Sequence, residues 1–348
     1  DGAFPDMAPR NFGTGWDGRG GAGGNNCWGD AAVVIAWNLY TQYGDVAVLQ
    51  EYYDALCKWI DYLEAHSENG LRTEENGYGD HFSVESTPKG LTDTAWSAHS
   101  ADLISKISTV LGKTDEAIHY QQVFEQFRDA WLREYVSEDG VIECYSQTAY
   151  ALGLAFDLFP ETMRQMAAEC LLNNVTFNQY EFHAGYAGLG YVLPALSEAG
   201  YSDAAYEMLC NTGERSLLYP VIQGATTTPE YLSAYQEVDG ELVLDGSLNH
   251  YAYGAPAQWL YTNVLGIRSD KENPGFKHFY IRPEVTDRWS YAKGAYESMY
   301  GRIEVSWEHE EDGYSYHIRI PANTTATVEL PGMESMELGS GEYDFISE

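Results

Sequence analysis

Apolar side chains recur at steps of three and four over roughly the first three-quarters of the chain. Leu49, Tyr52, Leu56, Trp59, Ile60 and Leu63 fall on one face, and Val123, Phe124, Phe127, Trp131 and Tyr135 repeat the pattern. Both runs predict amphipathic helices. Between them Leu91 to Leu111 predicts another, with Gly112 as its C-cap and Thr114 or Asp115 as the N-cap of its successor. Helical windows at 30–43, 147–159 (stopped by Pro160), 161–172, 185–199, 202–211 and 249–266 bring the number to about ten. Short turns imply antiparallel neighbours, and no fixed sequence period is visible. A closed toroid of helical hairpins, with its ligand site on the loops at one mouth, therefore fits better than a solenoid.

After Ile267 the period changes. Phe279–Ile281, Arg302–Trp307, Tyr314–Ile320 and Thr325–Leu330 are short, β-branched or aromatic and partly alternating, which predicts a small β domain. Asn273-Pro274-Gly275 is a natural break. The expected division is a helical domain over 1–268 and a β domain over 269–348.

Composition narrows the functions open to such a chain. Its 348 residues carry 53 acidic against 19 basic side chains, a net charge of −34. That field repels nucleic acid and anionic membrane faces. Apolar residues at 44% and aromatics at 14% exclude a disordered acidic tail. No apolar run approaches the ~20 residues of a membrane span. The five cysteines form no C-x-x-C pair, so neither a disulfide framework nor a metal site is expected. Isolated buried thiols are the expectation and tilt the location towards the cytoplasm, with a secreted or periplasmic one left open by the glycosylation acceptors Asn174-Val175-Thr176 and Asn323-Thr324-Thr325. The oligomeric state is not legible.

The chemistry-bearing residues cluster in the non-helical segments. Residues 11–30 contain Trp16, Asp17, Asn25, Asn26, Trp28 and Asp30. The Gly18–Gly24 run lacks the order of a phosphate loop. An indole beside a carboxylate makes a sugar platform, and Trp28 with Asp30 fits that description. Alternatively Trp28 packs in the core and Asp30 caps the helix starting at Ala31. Tyr78-Gly79-Asp80-His81 is a second polar cluster, or a plain surface turn. In Gly224–Glu230 a proline fixes the backbone just before one carboxylate, so Glu230 is a candidate general base. Ser247 or Asn249 can cap the last helix, placing His250 in its first turn, although a lone histidine is more often structural. Acidic, aromatic loops on a helical toroid suit carbohydrate hydrolases, uronate-cleaving hydrolases or lyases, and sugar-binding proteins alike.

Several motifs in order resemble the α-L-rhamnosidases of glycoside hydrolase family 78 over essentially the whole chain. They are Trp28–Val33, Leu39-Tyr40, Tyr43–Asp45, Tyr78–Asp80, Gln147–Leu152, Tyr191–Glu198, Gly224–Thr227 and Asn249–Gly254. In the tail, Pro274–Lys277, Ser298–Gly301 and Ile320–Thr325 resemble that family's C-terminal β-sandwich. The resemblance implies a mainly α protein, an (α/α)6 barrel followed by a small antiparallel β-sandwich. It also implies an inverting hydrolase that releases terminal α-linked L-rhamnose without a cofactor. Its partner is a rhamnose-containing carbohydrate, not nucleic acid or membrane. By the same resemblance Glu230 matches the general base, and Trp28, Asp30 and His250 match positions lining the sugar site, to which Asp80 and His81 are added.

The pattern departs from the family in three places. Thr228, Pro229, Tyr231 and Leu232 replace the Ile, first Trp, Arg and second Trp around the base. His81 stands where a tryptophan commonly follows the Gly-Asp pair. Nothing before Trp28 matches the acidic, arginine-containing motif that carries the general acid. That acid is therefore expected upstream of Asp1, in a chain lacking its first helices, with Asp17 or Asp80 as the fallback. Two rival readings stay open. A degenerate, sugar-binding homologue fits the missing acid, and a uronate-cleaving enzyme would need more basic loop residues than Arg10 and Arg19.

Overall fold

The computed structural model describes residues 2–7, 23–73 and 77–347, so Asp17, Arg10 and Arg19 lie outside the described residues. Ten α-helical segments precede the main sheets among the described residues. They are α1 (Ala31–Tyr43), α2 (Val46–Ala65), α3 (Lys89–Val110), α4 (Thr114–Tyr135), α5 (Gln147–Ala155), α6 (Glu161–Phe177), α7 (Leu189–Glu198), α8 (Ser202–Cys210), α9 (Leu218–Ile222) and the single turn α10 (Ala257–Trp259). A two-residue pair β1 (Ser67–Glu68) and β2 (Leu71–Arg72) follows α2, and a hairpin β3 (Tyr235–Val238) and β4 (Glu241–Leu244) follows α9. The chain forms two compact units: one holds the residues up to Ile35 and Gln50–Ala255, the other Ala36–Leu49 and Pro256–Glu348.

In the first unit most of each apolar stripe read from the sequence is buried, but Tyr52 is 49% exposed, its neighbour Tyr53 taking the inner position, and Tyr135 is half-buried. Trp59, Ile60 and Leu63 of α2 and Val123, Phe124, Phe127 and Trp131 of α4 are each at most 6% exposed. The helix α3 is enclosed on nearly all sides. Its small hydroxyl residues satisfy themselves against the preceding turn, Ser97 Oγ donating to Asp93 O and Ser108 Oγ to Ile104 O. It ends as expected at Gly112, whose φ of +72° lets Gly112 N donate to Thr109 O and Lys113 N to Ser108 O. The chain turns back there and α4 packs along α3. Likewise α5 packs against α6 and α7, and α7 against α8.

Four local expectations need correction. Thr114 and Asp115 do not cap α4: Thr114 is its first helical residue, preceded by Lys113 with no side-chain cap. The window 185–199 is helical only from Leu189, because Gly185–Gly188 is tied down as a loop. The expected helix 249–266 is broken into a 3-10 turn at Ala252–Gly254, α10 and a π-helical turn at Leu260–Val264. Pro256 sits at that break, and without an N–H it cannot continue a ladder across it. All five cysteines are free, and only Cys170 is buried.

The second unit contains two four-stranded sheets. One is ordered β11 (Met336–Leu338), β10 (Thr325–Val328), β6 (His278–Ile281), β5 (Ile267–Ser269). The other is ordered β12 (Gly341–Ser347), β9 (Gly313–Ile320), β8 (Gly301–Glu310), β7 (Tyr291–Ser298). All neighbours are antiparallel except the parallel pair β6–β10. Period-two burial appears where it was expected: Ile303, Val305 and Trp307 of β8 and Tyr316, Ile318 and Ile320 of β9 are at most 2% exposed. No helix among the described residues is long and apolar enough to cross a membrane.

Candidate active site

Trp28 is carried on a tight turn, residues 26–30, just ahead of α1. Gly29 is dictated by packing, since a Cβ there would lie 2.4 Å from the Trp59 ring. Asp30 was expected either to cap α1 or to bond sugar hydroxyls. It does neither: with 0% exposure, its Oδ1 accepts from Trp59 Nε1 (2.8 Å) and Ser100 Oγ (2.7 Å). Its Oδ2 accepts from Cys27 N (2.7 Å) and Asn26 Nδ2 (3.1 Å). Its main-chain oxygen accepts from Val33 and Val34 N, the first bonds of the α1 ladder. Burial raises its carboxyl above the ordinary range, against those four donors. Asp30 thus holds the turn that presents Trp28, whose own ring is half-buried.

Asp80 is used similarly. At 8% exposure its carboxylate accepts from Thr148 Oγ1, Gly185 N (3.0 Å) and Ala187 N (3.1 Å). Burial pushes its pKa up to about 6 despite those donors. The backbones also interlock, with Tyr186 N donating to His81 O at 2.9 Å. A Cβ on Gly185 would lie 2.3 Å from His81 O, which explains the glycine. The 80–83 turn and the 185–188 loop therefore act as one piece, bringing together His81, Phe82 and Tyr186. Like Asp30, Asp80 has its oxygens occupied by the protein, so its observed role is to anchor the loop.

Glu230 and His250 lie 20 residues apart in sequence yet side by side in space, because 227–250 folds as one arm. Thr227 Oγ1 donates to Leu248 O, Thr228 Oγ1 to His250 O (2.8 Å), His250 N to Thr228 O (2.8 Å) and Glu230 N to Ser247 O (2.8 Å). The limbs continue as β3 and β4, closed by Asp239 and Gly240, both at positive φ. The Glu230 carboxylate accepts from Ser247 N at 3.1 Å, and its main-chain oxygen accepts from the Tyr186 hydroxyl at 2.8 Å. His250 accepts Ala252 N through Nδ1, so it precedes the 3-10 turn and does not sit in a helical first turn.

Around Glu230 the rings form a continuous wall. Trp28 lies 4.4 Å from Tyr78, 6.0 Å from His81 and 6.4 Å from Tyr186 between centroids. His81 contacts Phe82 (4.2 Å) and Tyr186 (5.5 Å), and Phe82 contacts Tyr231 (4.7 Å). Tyr186 stacks on His250 (5.5 Å), which stacks on Tyr251 (5.1 Å). Burial lowers the His81 pKa while the Glu230 charge opposes that fall. Burial first, and then Glu230, raise the Tyr186 phenol. Neutral imidazole and phenol beside one carboxylate can donate to hydroxyls and stack against C–H faces, and the carboxylate can accept a proton from water. Among the described residues no cluster of His, Cys, Asp or Glu is arranged to hold a metal ion.

Of the expected site residues, Trp28, His81, Glu230 and His250 come together at one surface, Asp30 and Asp80 brace it from inside, and Asp17 is outside the described residues. Phe82, Tyr186 and Tyr231 join them, although the sequence motifs give these three no site role. Gly185 and Gly188 flank Tyr186, and paired glycines signal close backbone approach. Nothing comparable marks Phe82.

A bacterial alpha-L-rhamnosidase six-hairpin glycosidase domain model matches residues 1–264, and a bacterial alpha-L-rhamnosidase C-terminal domain model matches 266–343. An alpha-L-rhamnosidase of Streptomyces avermitilis is 36% identical over 99% of this chain and 34% of its own length. One from Formosa agariphila is 32% identical over 91% of this chain and 35% of its own. The solved Streptomyces avermitilis alpha-L-rhamnosidase complexed with L-rhamnose superposes with a TM-score of 0.92 at 33% identity, covering 100% of this chain and 35% of that one. The native Aspergillus terreus enzyme does so with a TM-score of 0.86 at 30% identity, covering 93% and 39%. The chain thus spans about a third of the length of these relatives. With both family models covering it almost end to end, the chain belongs to the bacterial alpha-L-rhamnosidase family.

Proposed function

We propose that this chain carries the sugar-binding and water-activating part of an inverting glycoside hydrolase that releases terminal α-linked L-rhamnose. The observation that carries the reading is the fixed position of Glu230. Its main chain is pinned by Ser247 and Tyr186, and its carboxylate is held at the foot of a wall built from Trp28, His81, Tyr186 and His250. A carboxylate fixed at its backbone and only half-buried can orient a water molecule and take its proton as the water attacks the anomeric carbon. Trp28 would stack on one face of the sugar, and His81 and His250 would bond its hydroxyls. The likeness to an alpha-L-rhamnosidase complexed with L-rhamnose favours that sugar over a uronate. The acidic surroundings agree, since a uronate would need a basic clamp.

Proton NMR of the first sugar released from an α-L-rhamnoside by the full-length protein tests the reaction type. Single displacement by water yields β-L-rhamnose first. Initial release of the α-anomer would mean double displacement and overturn the single-displacement role of Glu230.

A further inference from the structure

Phe82 is an outlier at this site. Its φ of +59° places a bulky aromatic in backbone that L-residues rarely adopt, and its ring is 37% exposed. The surroundings over-determine that conformation. Ser83 N donates to Asp80 O (3.1 Å), Val84 N to His183 O (2.9 Å) and the Tyr253 hydroxyl to Phe82 O (3.2 Å). Held this way, the ring faces Tyr231 at 4.7 Å and 30°.

Tyr231 is itself set in place. Its hydroxyl donates to Asp245 Oδ2 at 2.6 Å, and a Cβ on Gly246 would lie 2.6 Å from its ring. That bond holds its phenol in the neutral form, pushing its pKa up to about 12. Neither ring fills the core: Phe82 is exposed and Tyr231 half-buried. Both flank Glu230. Tyr231 is its chain neighbour, and Phe82 lies 5.7 Å from Tyr186, whose hydroxyl holds the Glu230 main chain. The charged groups acting on Tyr231 are Asp245 and Glu230, both acidic, while the described cation–ring contacts lie elsewhere, on Tyr53, Phe124 and Tyr300.

We propose that Phe82 and Tyr231 form the leaving-group subsite beside Glu230, and that it takes an uncharged leaving group presenting a flat apolar face. The proposal rests on the glycosidase reading above. An exposed ring held at positive φ and paired with a second, half-buried ring offers stacking surface that a merely structural turn does not need, and the two acidic neighbours turn away anionic leaving groups. Two leaving groups share this chemistry, an aromatic ring and the C–H face of a pyranose.

The test compares kcat/KM of the full-length protein and its variants on three glycosides: 4-nitrophenyl α-L-rhamnoside, an α-L-rhamnosyl-glucoside and methyl α-L-rhamnoside. Variant-to-wild-type ratios within each substrate remove differences in intrinsic reactivity. Phe82→Ala and Tyr231→Ala are each expected to lose about tenfold or more on a ring-bearing substrate and no more than about threefold on the methyl glycoside. Tyr231→Phe, which keeps the ring, should recover most of the loss and controls for folding. Loss on the aryl glycoside alone, on the disaccharide alone, or on both supports the subsite and identifies its source of leaving group. Equal loss on all three substrates, or none on either ring-bearing one, overturns the subsite and leaves the activity standing. A wild-type protein releasing L-rhamnose from none of them overturns the activity, and the subsite with it.

Discussion

At single residues, function and fold compete for the same backbone. Holding Phe82 at positive φ stores on the order of 1 kcal/mol or more that a glycine would not store. Phe82→Gly should therefore melt at or above Phe82→Ala, the reverse of the usual order of those two residues, and thermal denaturation of the pair checks it. Asp93 offers a second case. It is 5% exposed, and burial pushes its pKa up to about 7 even with Arg72 nearby, against an ordinary value of 3.8. A folded pKa above the unfolded one favours the protonated folded state. Asp93 thus contributes stability fully present below pH 4, and that contribution is lost as pH rises through 7, on the order of 4 kcal/mol in all. Asp93→Asn stays neutral, so its melting temperature should gain on wild type between pH 4 and pH 7 and hold level above pH 7. A constant gap would sink that assignment. The motifs mark Asp30 and Asp80 as candidate sugar-site carboxylates but not as buried anchors, and nothing in the sequence sets Asp93 apart in so acidic a chain. Their burial comes from long-range packing of α2, α3 and the loops.

At the scale of elements, what could be read was local periodicity and what could not was tertiary restraint. The stripes of α2 and α4 and the Gly112 stop were legible because 3.6-residue spacing and a left-handed cap are decided within a few residues. The start of α7 was not, since it depends on Asp80 seizing the Gly185 and Ala187 amides, whereas the break after His250 carried a local signal in Pro256, which lies inside the predicted helix. The hairpin β3–β4 did carry a signal, Asp239-Gly240, whose two positive φ values are those of a tight hairpin turn. Its importance lies in setting Glu230 beside His250. Asp80→Asn is a direct test of the loop's dependence on its anchor. An amide in place of the carboxylate sets an N–H against an amide donor, a cost of about 1–3 kcal/mol. Melting temperature should drop, and kcat should fall more than KM changes, because Tyr186 no longer fixes Glu230. An unchanged kcat in a folded variant would separate the loop from catalysis.

For the molecule as a whole, the ordering of helices before sheets was legible from the change of period near Ile267, and the family from motifs spread along the chain. The candidate site was legible only as separate patches, since Trp28, His81, Glu230 and His250 come from four segments that only the fold assembles. With a net charge of −34 around it, that site suits neutral ligands, and its chemistry narrows to one carboxylate. The decisive measurement is turnover of 4-nitrophenyl α-L-rhamnoside by the full-length Glu230→Gln variant, with L-rhamnose binding followed in parallel by calorimetry. Turnover should fall by about 10²–10⁴-fold, the usual worth of a general base, with rhamnose binding retained. Turnover within a few-fold of wild type in a variant that still binds the sugar would contradict the account.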